Sequence, residues 1–233
     1  MFYDNGDVKI NGTWKNDLLV NGIEFWENGN SKYQGCFKND KYFDNSTIYY
    51  DTGIIYYTGH LLEGYKNGYG VLYENNKVIY NGTFKNDFKS GKGQLYTNHI
   101  YYNGSFINDL NDGYGTLFND NELSYIGMFK MNNKHGKGKL YKNNYLIYEG
   151  DFYNNSNEGH GIMYYKNSNN ILYDGQWSND MRYGFGILYY PSQIILYKGD
   201  WINNMAHNYG EEYDKKGLII YKGEWKYNKK IYK

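Results

Sequence analysis

The stretch YDGQWSNDMRYGFGIL, at residues 173–188, contains the pattern that decides the fold. An aromatic residue, a glycine and a second aromatic residue stand two positions apart at Tyr173, Gly175 and Trp177, and Gly-Phe-Gly follows at 184–186. Successive side chains of a β-strand point to opposite faces. The tyrosine, glycine and tryptophan therefore share one face, and the residues between them share the other. The stretch predicts a β-hairpin with one packed face and one wet face.

The first half of this pattern occurs ten times, with central glycines 22 to 25 residues apart. A fixed period of this length indicates an array of repeats. Some copies are irregular; in the second, Asp44 and Ser46 stand where other copies have glycines. We expect one array over residues 1–233, with about ten hairpin repeats that are degenerate at 1–56 and at 200–233.

The spacing also predicts how each hairpin pairs. Asn179-Asp180 lies between the two halves, and both residue types accept the left-handed backbone that a turn requires. We expect a four-residue loop and a register that places each ring against a glycine or an aliphatic side chain. The predicted pairs are Tyr173 with Leu188, Gly175 with Gly186, and Trp177 with Gly184.

The hairpins must support one another, because a single hairpin is only marginally stable in water. In a repeat array, neighbouring units supply the missing burial. The predicted fold is all-β: an elongated single-layer antiparallel meander of repeated β-hairpins.

Composition narrows the possible classes of function. The formal net charge is zero, so we expect no nucleic-acid partner. The single cysteine, Cys36, suits a reducing compartment. No apolar run approaches the roughly 20 residues that a membrane-spanning helix needs. These features predict a cytoplasmic protein.

The Tyr-x-Gly-x-Trp motif followed by Gly-x-Gly resembles the MORN (membrane occupation and recognition nexus) repeat over essentially the whole chain. The resemblance implies an elongated antiparallel β-structure. It also implies a scaffold at a membrane-associated cytoskeletal structure, such as the cell cortex, or a docking module whose groove holds a partner segment. The chain departs from the family pattern in its turns, which are mostly Asn-Asp where the family has Asn-Gly or Asp-Gly.

The aromatic rings are the candidate binding surface, because Tyr and Trp are enriched in binding hot spots. The expected partner is a protein such as a motor, a kinase or a cortical cytoskeletal protein. The alternative is that the rings only pack the sheet, and the sequence leaves both open. The rings predicted to line a groove are Tyr102, Tyr125, Phe129, Tyr148, Phe152, Tyr173 and Trp177.

Two further hypotheses remain. The chain could contact phospholipid through a lysine-rich end, or it could form a homo-oligomer through its terminal strand edges. The residues of possible lipid contact are Lys226, Lys229, Lys230 and Lys233. No catalytic motif or metal-ligand spacing occurs in the sequence. We therefore expect no enzyme activity, cofactor or metal.

Overall fold

The computed structural model describes residues 1–232, which form β-strands and turns. The chain divides into two compact units, Met1–Leu110 and Asn111–Lys233. The first strands are β1 (Ile10–Lys15), β2 (Leu18–Phe25), β3 (Ser31–Lys38), β4 (Lys41–Tyr49), β5 (Ile55–Leu62), β6 (Tyr65–Glu74), β7 (Lys77–Lys85), β8 (Phe88–Tyr96) and β9 (Ile100–Ile107). Those that follow are β10 (Leu110–Asn119), β11 (Glu122–Lys130), β12 (Asn133–Lys142), β13 (Tyr145–Tyr153), β14 (Ser156–Tyr164), β15 (Ile171–Ser178), β16 (Met181–Tyr189), β17 (Ile195–Ile202), β18 (Met205–Tyr213), β19 (Ile219–Lys226) and β20 (Lys229–Ile231).

Within each unit, every strand pairs antiparallel with its neighbours in the sequence, as β6 does with β5 and β7, and β15 with β14 and β16. Each unit is therefore an open meander, and residues 1–232 contain no helix. The predicted all-β antiparallel meander is confirmed.

The predicted register is correct for two of its three pairs. Tyr173 pairs with Leu188 and Gly175 with Gly186, but Trp177 pairs with Arg182. The third prediction was wrong because β16 bulges between Arg182 and Gly186, where its residues 183–185 face the single residue Gln176 of β15. The bulged strand has more residues than its partner over this stretch, and this moves the later pairs out of the simple register.

The predicted four-residue loop was also wrong, because the hairpins close on two residues. Asn179 and Asp180 have φ values of 48° and 64°, and Ser178 pairs directly with Met181. Positive φ at both central residues is typical of a type I′ turn, whose twist matches that of the flanking strands. Asn and Asp tolerate this backbone better than other non-glycine residues.

A second set of hydrogen bonds joins the turns of successive repeats. The second turn residue donates its backbone N–H to a carbonyl of the preceding repeat, and its side-chain oxygen accepts the N–H of that same residue. In one such pair, Asp87 N donates to Lys66 O at 3.0 Å, and Lys66 N donates to Asp87 Oδ1 at 2.9 Å. We call this pair of hydrogen bonds the turn clasp. It recurs between 89 and 109, 111 and 132, 134 and 155, 157 and 180, 182 and 204, and 206 and 228.

One repeat has half a clasp, and this leads to a prediction. Gly64 donates its N–H to Tyr42 O at 2.9 Å but has no side chain to accept the N–H of Tyr42. Its φ is +89°, and a Cβ at this position would meet no atom within 4 Å. We expect Gly64→Asn to raise the free energy of unfolding by about 0.5–1.5 kcal/mol, because it adds one hydrogen bond and restricts the unfolded chain.

Equilibrium urea unfolding measures this change. Gly64→Ala is the matched control, because alanine restricts the unfolded chain but cannot form the clasp and is strained at positive φ. A Gly64→Asn protein no more stable than Gly64→Ala would show that the side-chain half of the clasp contributes nothing.

The packed face places tyrosine rings over glycine pairs. Gly127 pairs with Gly138, and a Cβ built on Gly138 would overlap the Oη and Cζ atoms of Tyr125. The hydroxyl of Tyr125 donates to Met128 O at 3.0 Å. The same tyrosine-to-(i+3) carbonyl bond recurs in other repeats, for example from Tyr148 to Asp151. The glycines therefore make room for rings whose hydroxyl groups are satisfied by the backbone.

Candidate functional site

The rings predicted to line a groove are buried. The relative exposure is 0% for Tyr125, 1% for Tyr148 and 5% for Trp177. The other four are equally covered: Tyr102 at 0%, Phe129 at 4%, Phe152 at 3% and Tyr173 at 1%. This corrects the interpretation of these seven side chains as a contact surface. Their position favours the alternative, in which they pack the sheet.

The rings are covered by one another and by cations. The ring of Tyr125 makes edge-on contacts with Phe129 and Phe152, with centroids 5.0 and 5.2 Å apart. Lys134 Nζ lies 5.5 Å from the centroid of Phe152, and the Arg182 guanidinium lies 4.2 Å from that of Trp201. Burial lowers the pKa of both Lys134 and Arg182. These cations close the packed face against solvent.

The lysine-rich end does not form one basic cluster. Lys230 Nζ lies 2.6 Å from Glu212 Oε2 and 5.4 Å from the ring centroid of Tyr221. The hydrogen bond to Glu212 raises the pKa of Lys230. Lys226 and Lys229 are exposed and pair across the last turn. Lys233 lies outside the described residues. Lys230 is thus tied to its neighbours, and only two of the four predicted lysines are seen free to face a ligand.

The opposite face carries a set of exposed aromatic rings. We call it the spacer face, because it holds the residues between those of the Tyr-x-Gly-x-Trp and Gly-x-Gly motifs. In residues 111–232, Tyr114, Phe185 and Tyr209 are each the middle residue of a Gly-x-Gly motif. In the motif around Tyr209, Asn208 replaces the first glycine. Their exposures are 55%, 49% and 53%. In the first unit, Tyr69 has the same position and is 59% exposed.

The charged side chains of the spacer face pair between neighbouring strands. Distances of 2.7 to 3.0 Å join Lys137 Nζ to Asp151 Oδ2, Lys139 Nζ to Glu149 Oε1, and Lys222 Nζ to Glu211 Oε1. The imidazole Nε2 of His160 lies 3.0 Å from Asp174 Oδ1. Hydrogen bonding to Glu211 raises the pKa of Lys222, and the same bond lowers that of Glu211. Exposed cross-strand pairs of this kind contribute little to stability, but they fix the positions of the side chains around the rings.

Each unit has a shallow cavity on this face. In residues 111–232 it measures about 380 Å³ and is lined by side chains of Tyr114, Ile126, Lys137, Lys139, Glu149, His160 and Ile162. In the first unit it measures about 930 Å³ and includes His60, Asn67, Tyr69 and Val71. Rings and aliphatic side chains surrounded by paired charges suit the binding of a side chain or a peptide segment.

Two kinds of feature are absent from residues 1–232. No group of three or more His, Cys, Asp or Glu side chains in this range is placed to hold a metal ion. The same residues form no helix with the length and apolar character of a membrane crossing.

The motif and its geometry match a known family of repeats. The MORN repeat model matches nine segments, at residues 11–31, 57–77, 80–99, 102–122, 125–146, 148–170, 173–193, 197–219 and 221–230. The chain belongs to the MORN repeat family. No curated protein matches the chain in a sequence comparison. MORN repeats are non-catalytic scaffold modules that bind proteins or membranes.

The exposed rings of this MORN array had a signal in the sequence that the prediction did not use. The middle residue of Gly-x-Gly is out of phase with the packed tyrosines, so it must lie on the other face. An aromatic residue there, as at Phe185, has no packing role to explain it. By contrast, phase alone could not show that the rings on the packed face cover each other completely.

Proposed function

We propose that this MORN protein is a non-enzymatic scaffold that binds a segment of a partner protein along the spacer face of residues 111–232. The supporting observation is the exposure of the rings of Tyr114, Phe185 and Tyr209, which is 49–55%. Neighbouring strands lie about 4.8 Å apart, so Phe185 and Tyr209, two strands apart, lie about 10 Å from each other. A partner segment can contact both.

The partner and location follow from the family rather than from the site. We propose a motor, a kinase or a cortical cytoskeletal protein, at a membrane-associated cytoskeletal structure. Phospholipid contact is supported only by exposed Lys226 and Lys229, and a lysine near an anionic surface contributes about 1 kcal/mol. A protein segment is the better-supported ligand for this reason.

Replacing two exposed rings tests the proposed surface. We expect Phe185→Ser combined with Tyr209→Ser to reduce recovery of a specific cross-linked protein from native cells by about 30-fold or more, since loss of even one hot-spot ring costs about 2 kcal/mol and two such costs are not simply additive. Quantitative mass spectrometry of the cross-linked material measures the change.

The matched control is Tyr227→Asn. Tyr227 is 51% exposed but lies in the last turn, at a position where most other turns have Asn. This variant removes an exposed ring while keeping the turn conformation. The proposal fails if the double variant folds and recovers the same proteins as wild type. It also fails if Tyr227→Asn loses them equally, or if only anionic liposomes or further copies of the chain are bound.

A further inference from the structure

A cavity of about 450 Å³ in the first unit has mostly aromatic walls. It is lined by Trp26, Ile48, Tyr49, Tyr50, Asp51 and Tyr56. It lies where the turn after β2 meets the turn after β4. The Nδ2 atoms of Asn28 and Asn30 each donate to Asp51 O at 2.7 Å, so the two turns are tied together. The walls of the cavity are therefore held in place before any ligand binds.

The walls attract cations. Lys32 Nζ lies 5.1 Å from the ring centroid of Trp26, and Lys66 Nζ lies 5.3 Å from that of Tyr56. Neither lysine lines the cavity. Each is held by its own carboxylate, Lys32 by Glu24 at 2.8 Å and Lys66 by Asp87 at 3.3 Å. The π faces of these rings are good positions for a positive charge.

The cavity also has the charge that a cationic ligand needs. Asp51 is the charged member of its lining, and the rings of Tyr50 and Tyr56 meet edge to face with centroids 5.1 Å apart. Burial raises the pKa of Tyr50. The negative charge of Asp51 complements a cation rather than an anion.

We propose that this cavity binds a methylated ammonium group, carried by a trimethyllysine side chain of a protein partner. Cages of aromatic rings recognise quaternary ammonium ligands, and here Asp51 lines the same cavity as the rings. The methyl groups pack against the rings and Ile48. An unmodified lysine has three N–H donors, and rings leave those donors unsatisfied.

The neighbouring charges favour a protein side chain over a phosphocholine headgroup. A second cavity of about 510 Å³ shares Trp26 and Asp51 with the first. Its other charged residues are Glu24, Glu27, Lys9 and Lys32, so it has three carboxylates and two lysines. A phosphate next to the bound ammonium would meet a net negative surface. This site is distinct from the spacer-face rings and does not depend on the partner proposed there.

Isothermal titration of the full chain with three probes tests the proposal. The probes are N-acetyl-trimethyllysine methylamide, its unmodified lysine counterpart and a neutral analogue with carbon in place of the quaternary nitrogen. We expect the trimethyllysine probe to bind about tenfold more tightly than either of the others, because only it combines the charge with the methyl groups. Equal binding of the three probes, or no binding of the first, would overturn the proposal.

Matched variants distinguish the contribution of the Tyr50 ring to binding from any effect on the fold. Tyr50→Phe keeps the ring and loses only the long hydroxyl contact to Tyr73 O at 3.4 Å, so it should bind like wild type. Tyr50→Ala removes a ring that is 38% exposed and should weaken binding about tenfold. Asp51→Asn keeps the carbonyl that joins the turns and should weaken binding through charge alone.

Two results would count against the site. One is undiminished affinity in Tyr50→Ala and Asp51→Asn. The other is sedimentation of the chain with phosphatidylcholine vesicles while the trimethyllysine probe does not bind, which would assign the cavity to a lipid headgroup.

Discussion

Raising the pH from 10 to 11 is expected to lower the free energy of unfolding of residues 111–232 by about 4 kcal/mol. Burial raises the pKa of the packed tyrosine in four repeats, at Tyr125, Tyr148, Tyr173 and Tyr197. In the unfolded chain these phenols lose their protons near pH 10. The folded chain keeps them, so above pH 10 it binds more protons than the unfolded chain, and stability falls as pH rises. Below pH 10 this contribution is complete.

Urea unfolding at several pH values between 8 and 11 measures the slope, which should be near zero well below pH 10 and approach about 1.4 kcal/mol per pH unit for each buried tyrosine above it. Tyr148→Phe should remove the contribution of one tyrosine from the slope. It should also lower the free energy of unfolding by about 1 kcal/mol at neutral pH, because the lost hydroxyl donates to Asp151 O. Tyr153→Phe, which removes a hydroxyl from a ring that is 59% exposed, is the matched control. Ionisation of all tyrosines near pH 10 with the fold intact would contradict this account.

Gly138→Ala is expected to destabilise the chain by about 3 kcal/mol or more. The new methyl group would overlap the hydroxyl end of the Tyr125 ring. That ring is 0% exposed and is held by Phe129 and Phe152, so it cannot move aside without opening the packed face. Gly138 has no positive φ, so strain of the backbone does not contribute to this cost.

The matched control is Gly223→Ala, near the end of the array. There the nearest atom of Tyr221 is its Oη at 2.8 Å from the new Cβ, and Tyr221 is only half-buried, so its ring can shift. We expect a cost of about 1 kcal/mol, measured by urea unfolding under the same conditions. Equal costs at the two positions would show that the fit of ring to glycine is not what limits the packed face.

The hairpins could be predicted because their pattern is local. Alternation along one strand places Tyr173 and Gly175 on the same face, and the spacing to Gly186 then determines their partners. Trp177 was misplaced because a bulge depends on the backbone of a single residue. Gly184 has a φ of +63°, and Asp44 and Asn208 take φ values of 57° and 53° where that glycine is replaced. No periodicity of apolar residues reports such a conformation.

The candidate site was harder to predict because burial is a property of neighbours. Tyr148 looks the same in the sequence whether its ring is open to a partner or covered. In the structure it is covered by Trp177 from the next repeat, 5.5 Å away between centroids. Composition showed an excess of aromatic residues but not which face of the sheet would keep them exposed. The alternation of side chains along a strand assigns Phe185 and Tyr148 to opposite faces, and their exposed fractions confirm that only Phe185 faces solvent.

The turn clasp has a consequence for how such chains evolve. Each clasp joins one side chain to the backbone of the preceding repeat, so it makes no demand on which residue stands there. The same pair of hydrogen bonds, one donated by the backbone N–H and one accepted by the backbone carbonyl, forms at Lys89, Asn111, Arg182 and Ala206. When a repeat within a unit is duplicated or deleted, the new neighbouring repeats can therefore form the turn clasp without compensating substitutions. Gene-level gain or loss of whole repeats can change the length of the array in a single step.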